Sequence, residues 1–222
     1  MSKRKKLFKK AAYQETDRCF VQDHKMAGKW SEVFGNDHPI TMELGCGKAD
    51  FSYGLAEKYP ERNFVGVDLK MDRMWYPARR AEEAGIRNLA FVCTHLLQLG
   101  DQADQHEIDE IWITFPDPFP KKRQAKHRMV NENFLRVYHQ ALKSGGRLHF
   151  KSDNRELFLF GLEVFVKAGL NFHTLTFDLH ANEEIGPDPK VKTAYERKFM
   201  EMGIPINYVV LSFPEGWEKR FE

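Results

Sequence analysis

The chain has 222 residues and a formal net charge of +2, from 34 basic and 32 acidic residues. Hydrophobic residues make up 42% and charged residues 30%, which is typical of a globular protein with one substantial core. The most apolar window, residues 157–166, is about half the length of a membrane span and contains Glu163. No apolar segment follows the basic N-terminus, so we expect neither a membrane span nor a signal peptide.

The near-neutral balance conceals a segregation of charge along the chain. Residues 1–10 contain six basic residues and no acid, residues 121–128 contain five basic residues, and residues 101–110 contain five acids. Two basic blocks on a near-neutral chain indicate a localised contact with a polyanion. We expect residues 1–12 to form a flexible basic arm and residues 13–222 to form a single domain.

The cysteine and histidine content argues against a metal site. Cys19, Cys46 and Cys93 are widely spaced and match neither a disulfide framework nor a zinc pattern. The nine histidines include no HxxxH pair. We therefore expect a protein that binds no metal and works in a reducing cytoplasm.

From residue 39 onward, strand patterns alternate with helix patterns. Strands are predicted at 40–44, 63–69, 89–93, 110–115, 147–151, 170–179 and 206–213, and helices at 51–59, 71–84, 130–142 and 154–168. This alternation predicts an α/β fold with a mostly parallel sheet and helices on both faces. Ligands of such sheets bind at the carboxyl ends of the strands, near the point where the strand order reverses.

A glycine turn, Glu43-Leu44-Gly45-Cys46-Gly47, follows the first of these strands. Two glycines allow a sharp turn and the close approach of a ligand, but the pattern is not GxGxxG. Glu43 would repel a phosphate, whereas a carboxylate there suits a ligand with an ammonium group, such as the methionine part of S-adenosylmethionine. The alternative is an ordinary tight turn.

Asp68 ends the second predicted strand, 21 residues after Gly47. In dinucleotide-binding folds, an acid about 20 residues beyond the glycine turn holds the ribose diol. The alternative role for Asp68 is to cap the helix that follows. The glycine turn and Asp68 together favour a nucleoside cofactor.

The most unusual segment is FPDPFPKKR, residues 115–123, after the fourth predicted strand. Its three prolines stiffen the loop, and because the residue before a proline is restricted to extended conformations, Asp117 is fixed before any ligand arrives. Catalytic sites need preorganised charge of this kind. The aromatic rings and the basic run suit stacking and phosphate contacts. The alternative is a rigid surface loop with a solvated basic face.

Two further polar segments follow later elements. Asp153 comes directly after the fifth predicted strand and is either the N-cap of the next helix or a site residue. The stretch Thr193-Ala194-Tyr195-Glu196 has the pattern of a capping box. A capping box can also present its threonine and glutamate to a substrate.

The motifs ELGCGKA, FVGVDL, FPDPFPKKRQAKHRM, FKSDN and TAYERKF occur in this order between residues 40 and 200. With them the chain resembles the bacterial tRNA (guanine-N7)-methyltransferases, which use S-adenosylmethionine and have the Rossmann-like class I methyltransferase fold. The segment PDP-aromatic-PKKR is highly specific to that family. The glycine turn and VGVD alone indicate only a class I methyltransferase.

The resemblance implies a sheet with an antiparallel last strand and methyl transfer to N7 of a guanine in tRNA, at guanine 46 of the variable loop. It places Asp117 at the active site and in contact with the cofactor. The other implied cofactor contacts are Glu43, Gly45, Gly47, Asp68 and His95. The implied tRNA contacts are Lys121, Asp153, Thr193, Ala194, Tyr195 and Glu196. The enzyme would be cytoplasmic, metal-free, and either a monomer or a homodimer.

Three residues depart from the family's pattern. Ala49 stands where a third glycine is common, and Phe119 stands where a tryptophan is common, which keeps a stacking ring but loses an indole N–H. His95 replaces the usual aspartate beside the adenine. A histidine accepts a hydrogen bond from an adenine amino group only through an unprotonated ring nitrogen.

The chemistry implied here needs no general base, because guanine N7 has an exposed lone pair. We expect Asp117 to stabilise the positive charge that moves to the guanine and to accept hydrogen bonds from its N1–H and amino groups. The alternatives are a methyltransferase for another RNA site and a non-catalytic RNA-binding module. An exocyclic-amine methyltransferase usually carries Asp/Asn-Pro-Pro-aromatic, whereas here Phe119 follows Pro118 directly. The absent third glycine and Glu43 argue against a nicotinamide dehydrogenase.

Overall fold

The computed structural model describes residues 3–217, with the side chains of residues 7–217. The strands are β1 (Cys19–Val21), β2 (Ile40–Leu44), β3 (Asn63–Asp68), β4 (Leu89–Cys93), β5 (Ile108–Thr114), β6 (Leu142–Ser152), β7 (Asn171–Thr176) and β8 (Asn207–Ser212). The α-helices are α1 (Lys3–Glu15), α2 (Trp30–Phe34), α3 (Asp50–Lys58), α4 (Met71–Glu83), α5 (Glu132–Ala141), α6 (Arg155–Lys167) and α7 (Ala194–Glu201).

All of these strands belong to one sheet, in the order β1-β4-β3-β2-β5-β6-β8-β7. The pairs from β1 to β6 are parallel, and β8 is antiparallel to both β6 and β7. This arrangement confirms the predicted mostly parallel sheet with an antiparallel last strand. The strand order reverses between β2 and β5, so the carboxyl ends of these two neighbours form the switch point where a ligand is expected.

Both faces of the sheet are covered. Every residue of β2 and β3 is buried, as expected for strands packed on both sides. Ile111 and Ile113 belong to one cluster of buried apolar side chains, and Trp112 between them belongs to a second cluster. Because neighbouring side chains of a strand point to opposite faces, the two clusters cover opposite faces and hold the strand ends in fixed positions.

The N-terminal segment forms α1 beside α4, and the flexibility of the expected arm stays a prediction. Residues 3–12 lie within α1, and residues 1 and 2 lie outside the described residues. Tyr13 is fully buried and its hydroxyl donates to the carbonyl of Phe20 at 3.0 Å. The ring of Phe8 meets Trp75 of α4 edge-to-face at 5.9 Å. These apolar contacts attach α1 to the domain. The sequence did not indicate them, because most residues of this segment are basic.

No helix within residues 3–217 is long and apolar enough to cross a membrane. In the same range, no group of three or more His, Cys, Asp or Glu side chains is arranged to hold a metal ion. Cys19, Cys46 and Cys93 are free thiols.

Candidate functional site

The glycine turn after β2 folds over the end of β3. The N–H groups of Gly45 and Cys46 both donate to the carbonyl of Val67, at 2.8 and 3.0 Å. Gly45 and Gly47 have φ values of +73° and +57°, in the region that favours glycine. The N–H of Gly47 donates to Oδ2 of Asp68 at 2.9 Å. The predicted pairing of the turn with the acid of the next strand is therefore present, and Gly45 is exposed to a ligand.

Asp68 also connects the glycine turn to α4. Its Oδ1 accepts from the N–H of Lys70 at 2.9 Å, and Lys70 is the N-cap of α4. The alternative interpretation of Asp68 as the N-cap is therefore wrong. An ionised carboxylate has about four acceptor positions, so the two backbone bonds leave room for two more. A ribose diol donates two hydroxyl hydrogens, and Asp68 fits such a group.

Glu43 is buried at the switch point, with 1% of its surface exposed. Its carboxylate accepts from the N–H and hydroxyl of Ser52 in α3, at 3.1 and 2.5 Å, and from the hydroxyl of Thr114 in β5, at 2.6 Å. Burial raises the pKa of Glu43, and these hydrogen bonds oppose the rise. Glu43 thus joins β2, β5 and α3, and its contact with a cofactor ammonium stays a prediction.

Ala49, where the family often has glycine, is buried and has a φ of +51°. A side chain in this left-handed region costs about 1 kcal/mol relative to glycine. Ala49 is the N-cap of α3, and the carboxylate of the next residue, Asp50, accepts from the N–H of Ala194 at 2.9 Å. The glycine turn is thereby connected directly to the beginning of α7.

The proline loop, defined here as residues 115–120, leaves β5 on the other side of the switch point. Asp117 is exposed, and among the described side chains, those of residues 7–217, none forms a hydrogen bond or ion pair with its carboxylate. Phe115 and Phe119, which flank the PDP motif, have φ values of +50° and +43°. The N–H of Phe115 donates to the carbonyl of Lys151 at 2.9 Å. The loop is anchored while its carboxylate remains available to a ligand.

The basic segment behind the proline loop forms a short 3-10 turn, Lys122–His127. Four of the five basic side chains predicted to contact a polyanion are exposed: Lys121, Lys122, Arg123 and Lys126. The fifth, Arg128, is partly buried and bonds to the proline loop. The exposed four are free to meet phosphate groups at the same edge of the sheet as Asp117.

The capping box at the start of α7 is confirmed. Oγ1 of Thr193 accepts from the N–H of Glu196 at 3.1 Å, and the Glu196 carboxylate accepts from the N–H of Thr193 at 3.3 Å. Both side chains are buried, whereas Ala194 and Tyr195 are exposed. Only Ala194 and Tyr195 therefore present their side chains to solvent. The contact of Thr193 and Glu196 with a substrate stays a prediction.

A buried lysine that the sequence analysis did not identify connects α7 to β6. Lys151 is 0% exposed, and its Nζ lies 2.8 Å from Oε2 of Glu196. The same Nζ donates to the carbonyls of Pro189 and Val191, at 2.7 and 3.2 Å. Burial lowers the pKa of Lys151, and the charge of Glu196 opposes that shift. The other oxygen of Glu196 lies 2.8 Å from Nε2 of His180.

Asp153 lies just beyond β6, two residues after Lys151. The N-cap of α6 is Asn154, whose Oδ1 accepts from the N–H of Leu157 at 2.8 Å, so the capping interpretation of Asp153 is wrong. Asp153 is partly buried, and this burial raises the pKa of its carboxyl. It remains a candidate ligand contact at the carboxyl end of β6.

His95 is exposed and caps a short 3-10 turn, Leu96–Asp101. Its Nδ1 accepts from the N–H of Leu97 at 3.2 Å. In a neutral imidazole one nitrogen carries a hydrogen, which this hydrogen bond assigns to Nε2. Neither ring nitrogen is then able to accept from an adenine amino group, although Nε2–H can donate to a ring nitrogen.

The chain is similar to known methyltransferases. A family model described as "Putative methyltransferase" matches residues 37–209. The tRNA (guanine-N(7)-)-methyltransferase of Cytophaga hutchinsonii is 36% identical over 216 residues, covering 95% of this chain and 98% of that protein. The protein of the same name from Brevibacillus brevis is 41% identical over 185 residues, covering 83% and 86%. The crystal structure of the 16S rRNA methyltransferase KamB matches with a TM-score of 0.63 at 12% identity, covering 84% and 97%, and shows the fold alone.

Proposed function

The chain belongs to the tRNA (guanine-N7)-methyltransferase family, and from that membership we propose that it transfers the methyl group of S-adenosylmethionine to N7 of a guanine in tRNA. The observation that carries this proposal is the unpartnered Asp117 carboxylate on an anchored loop, across the switch point from the glycine turn. On the resemblance of residues 115–129 to the family's motif, we propose guanine 46 of the variable loop as the position modified.

The cofactor is proposed to bind at the glycine turn. Because Gly45 and Gly47 have no side chain, the backbone of the turn would lie close to the cofactor. The two free acceptor positions of Asp68 would receive the ribose hydroxyls. The remaining acceptor position of Glu43 would face the ammonium group. When bound, S-adenosylmethionine supplies a methyl group on a sulfonium sulfur. The neutral N7 of guanine has a lone pair that can attack this methyl group directly, so no base is needed.

Asp117 is proposed to orient the guanine and to stabilise its developing charge. A carboxylate accepts two hydrogen bonds side by side, which matches the N1–H and amino group of guanine. Methyl transfer leaves positive charge on the ring, and a fixed negative charge nearby stabilises the transition state without reorganisation. Holding N7 close to the methyl group and pointed at it lowers the activation free energy by a further several kcal/mol. No proton transfer by the protein is needed.

The tRNA backbone is proposed to lie along the exposed basic side chains at this edge of the sheet. Lys121, Lys122, Arg123 and Lys126 extend from the site itself, and the N-terminal block contributes six further basic residues. Neutralisation of phosphates releases counterions, which makes binding depend on salt. The exposed ring of Tyr195 at the start of α7 would stack on an unpaired base.

Replacement of the six basic residues of the N-terminal block by glutamine is expected to flatten the salt dependence of tRNA binding. The slope of log K against log salt should fall by about 0.9 for each residue that contacts a phosphate. The affinity for S-adenosylmethionine, measured by calorimetry, should not change. Glutamine is a good helix former and the variant keeps Phe8, so α1 remains attached to Trp75. An unchanged slope would show that this block does not contact tRNA.

The variant His95→Asp is expected to bind S-adenosylmethionine more tightly. An aspartate at this N-cap uses one oxygen to accept from the N–H of Leu97. Its second oxygen can accept a hydrogen bond from the adenine amino group, whereas the histidine has no free acceptor for it. A hydrogen bond to a charged group contributes about 1.5 kcal/mol, so calorimetry should show a roughly tenfold lower Kd. The variant His95→Asn retains the cap and an acceptor without the charge, and should gain less. Weaker binding by His95→Asp would contradict the proposed place of the adenine.

The direct test of the proposed function is incubation with bulk tRNA and methyl-labelled S-adenosylmethionine, followed by nucleoside analysis. We expect the label in 7-methylguanosine and chain cleavage at the modified position after borohydride and aniline treatment. Sequencing of the cleaved ends tests the assignment to guanine 46. Label in a methyladenosine, or in no nucleoside at all, would overturn the proposal.

The proposed substrate also favours a cytoplasmic location, where tRNA is modified. Cys19, Cys46 and Cys93 are all free thiols, and thiols persist in a reducing compartment. Fractionation of the cells that produce the protein would test this location.

A further inference from the structure

Arg128 differs from the other basic residues of its segment because its guanidinium points back to the proline loop. Its Nε lies 3.1 Å from the carbonyl oxygen of Pro118 and 3.3 Å from that of Phe119. A terminal nitrogen of the same group donates to the carbonyl of Phe119 at 3.1 Å. The guanidinium carbon lies 4.3 Å from the ring centroid of Phe160 in α6. These contacts fix the side chain between the loop and a helix.

The chain around Arg128 is itself held at two points. The next residue, Met129, accepts at its carbonyl a hydrogen bond of 3.0 Å from the buried hydroxyl of Tyr138 in α5. The sulfur of Met129 lies 3.4 Å from the position that a Cβ of Gly45 would occupy. Residues 128–129 therefore lie between the two halves of the site, since Arg128 binds the proline loop and Met129 lies beside the glycine turn.

The proline loop needs such support because both of its ends are strained. Phe115 and Phe119 have left-handed backbone conformations, which side chains other than glycine rarely adopt. The end at Phe115 is held by its hydrogen bond to the carbonyl of Lys151. The end at Phe119 is held by Arg128. Asp117 lies between these two anchors.

We propose that Arg128 is a positioning residue, which holds the carboxylate of Asp117 in place by binding the carbonyls of Pro118 and Phe119. In the sequence Arg128 belongs to a run of five basic residues that is predicted to contact phosphates. The other four are exposed, whereas Arg128 is partly buried. The planar fork of an arginine binds two adjacent carbonyls and stacks on a ring at the same time. A lysine has neither property, although it keeps the charge.

This proposal rests on the proposed function and is tested with variants that separate positioning from charge. In Arg128→Lys we expect kcat, at saturating tRNA and cofactor, to fall about tenfold, because small displacements of a catalytic group cost one to two orders of magnitude. The slope of tRNA binding against salt should stay as in the wild type. The matched control Arg79→Lys, on an exposed arginine of α4 that pairs with Glu83, should retain the wild-type kcat.

A second measurement does not depend on activity. Hydrogen exchange, read on a peptide that covers residues 113–122, should be faster in Arg128→Lys than in the wild type and unchanged in Arg79→Lys. If the wild type fails to methylate tRNA, the proposed function fails, and the exchange experiment still decides the role of Arg128. A wild-type kcat in Arg128→Lys, an effect confined to the salt slope, or unchanged exchange would each overturn the proposal.

Discussion

The variant Asp117→Asn is expected to turn over tRNA at least about 10²-fold more slowly than the wild type, the scale of one lost preorganised electrostatic contact. Asparagine keeps the size of the side chain but loses the charge, and its amide replaces one acceptor by a donor that opposes the guanine N1–H. Since none of the described side chains of residues 7–217 binds the Asp117 carboxylate, its charge is available to the substrate. The measurement is kcat at saturating tRNA and S-adenosylmethionine.

Two controls show whether the fall in kcat arises in the methyl-transfer step and not from a change in folding or surface charge. Asp117 is exposed, so Asp117→Asn should change the free energy of unfolding by no more than about 0.5 kcal/mol. Glu156→Gln removes an exposed charge from the first turn of α6, near the same edge of the sheet, and should leave kcat unchanged. Calorimetry of Asp117→Asn with S-adenosylmethionine tests the predicted cofactor contact separately. Near-normal kcat in Asp117→Asn would show that the carboxylate does not act in methyl transfer.

Most of the sheet was predictable because most of its strands, unlike the edge strand β7, are largely buried. The ends of β2, β3, β4, β5 and β8 lie within two residues of the predicted ends, since each of these strands carries an apolar run bounded by polar residues or glycine. Strand β6 begins five residues before the predicted residue 147, and β7 ends three residues before the predicted residue 179. Strand β1 was not predicted, because Cys19–Val21 is too short to show an alternating pattern. Helix α1 was missed because its lysines dominate the composition, although Tyr13 is its buried anchor.

The parts of the site that lie close together along the chain were also predictable. The proximity of Gly47 to Asp68 follows from their places at the ends of neighbouring strands. The fixed position of Asp117 follows from the prolines on either side of it. The internal supports were not predictable, because their partners are remote in sequence. Arg128 is one of five basic residues in a run, and only the fold shows that it faces inward.

Lys151 is a support of the same kind, for which the sequence carries only a weak indication. It is a charged residue between Phe150 and Ser152, at the end of a strand whose last five residues are all buried. Such a position requires a buried partner of opposite charge. The partner is Glu196, for which the sequence pattern predicts a place in the capping box and the family resemblance implies a contact with tRNA. One glutamate thus serves the helix cap and the buried ion pair.

The variant Lys151→Met is expected to lower the free energy of unfolding by about 3–5 kcal/mol, the cost of leaving one partner of a buried ion pair uncompensated. The carboxylate of Glu196 would stay buried with His180 and the Thr193 N–H as its remaining partners. The carbonyls of Pro189 and Val191 would also lose their donor. Urea unfolding gives the free energy, and an unchanged m-value would show that the folded state is still compact.

The double variant Lys151→Met/Glu196→Gln decides whether the loss comes from the unpaired charge. Because it removes both charges, it should be more stable than Lys151→Met alone, in line with the small or even favourable effect of replacing whole buried pairs. Lys198→Met, on the exposed face of α7, should change stability by no more than about 0.5 kcal/mol. If the double variant is less stable than Lys151→Met, the pair with Glu196 is not what stabilises this region. The hydrogen bonds from Lys151 to the 189–191 loop would then be the dominant contribution.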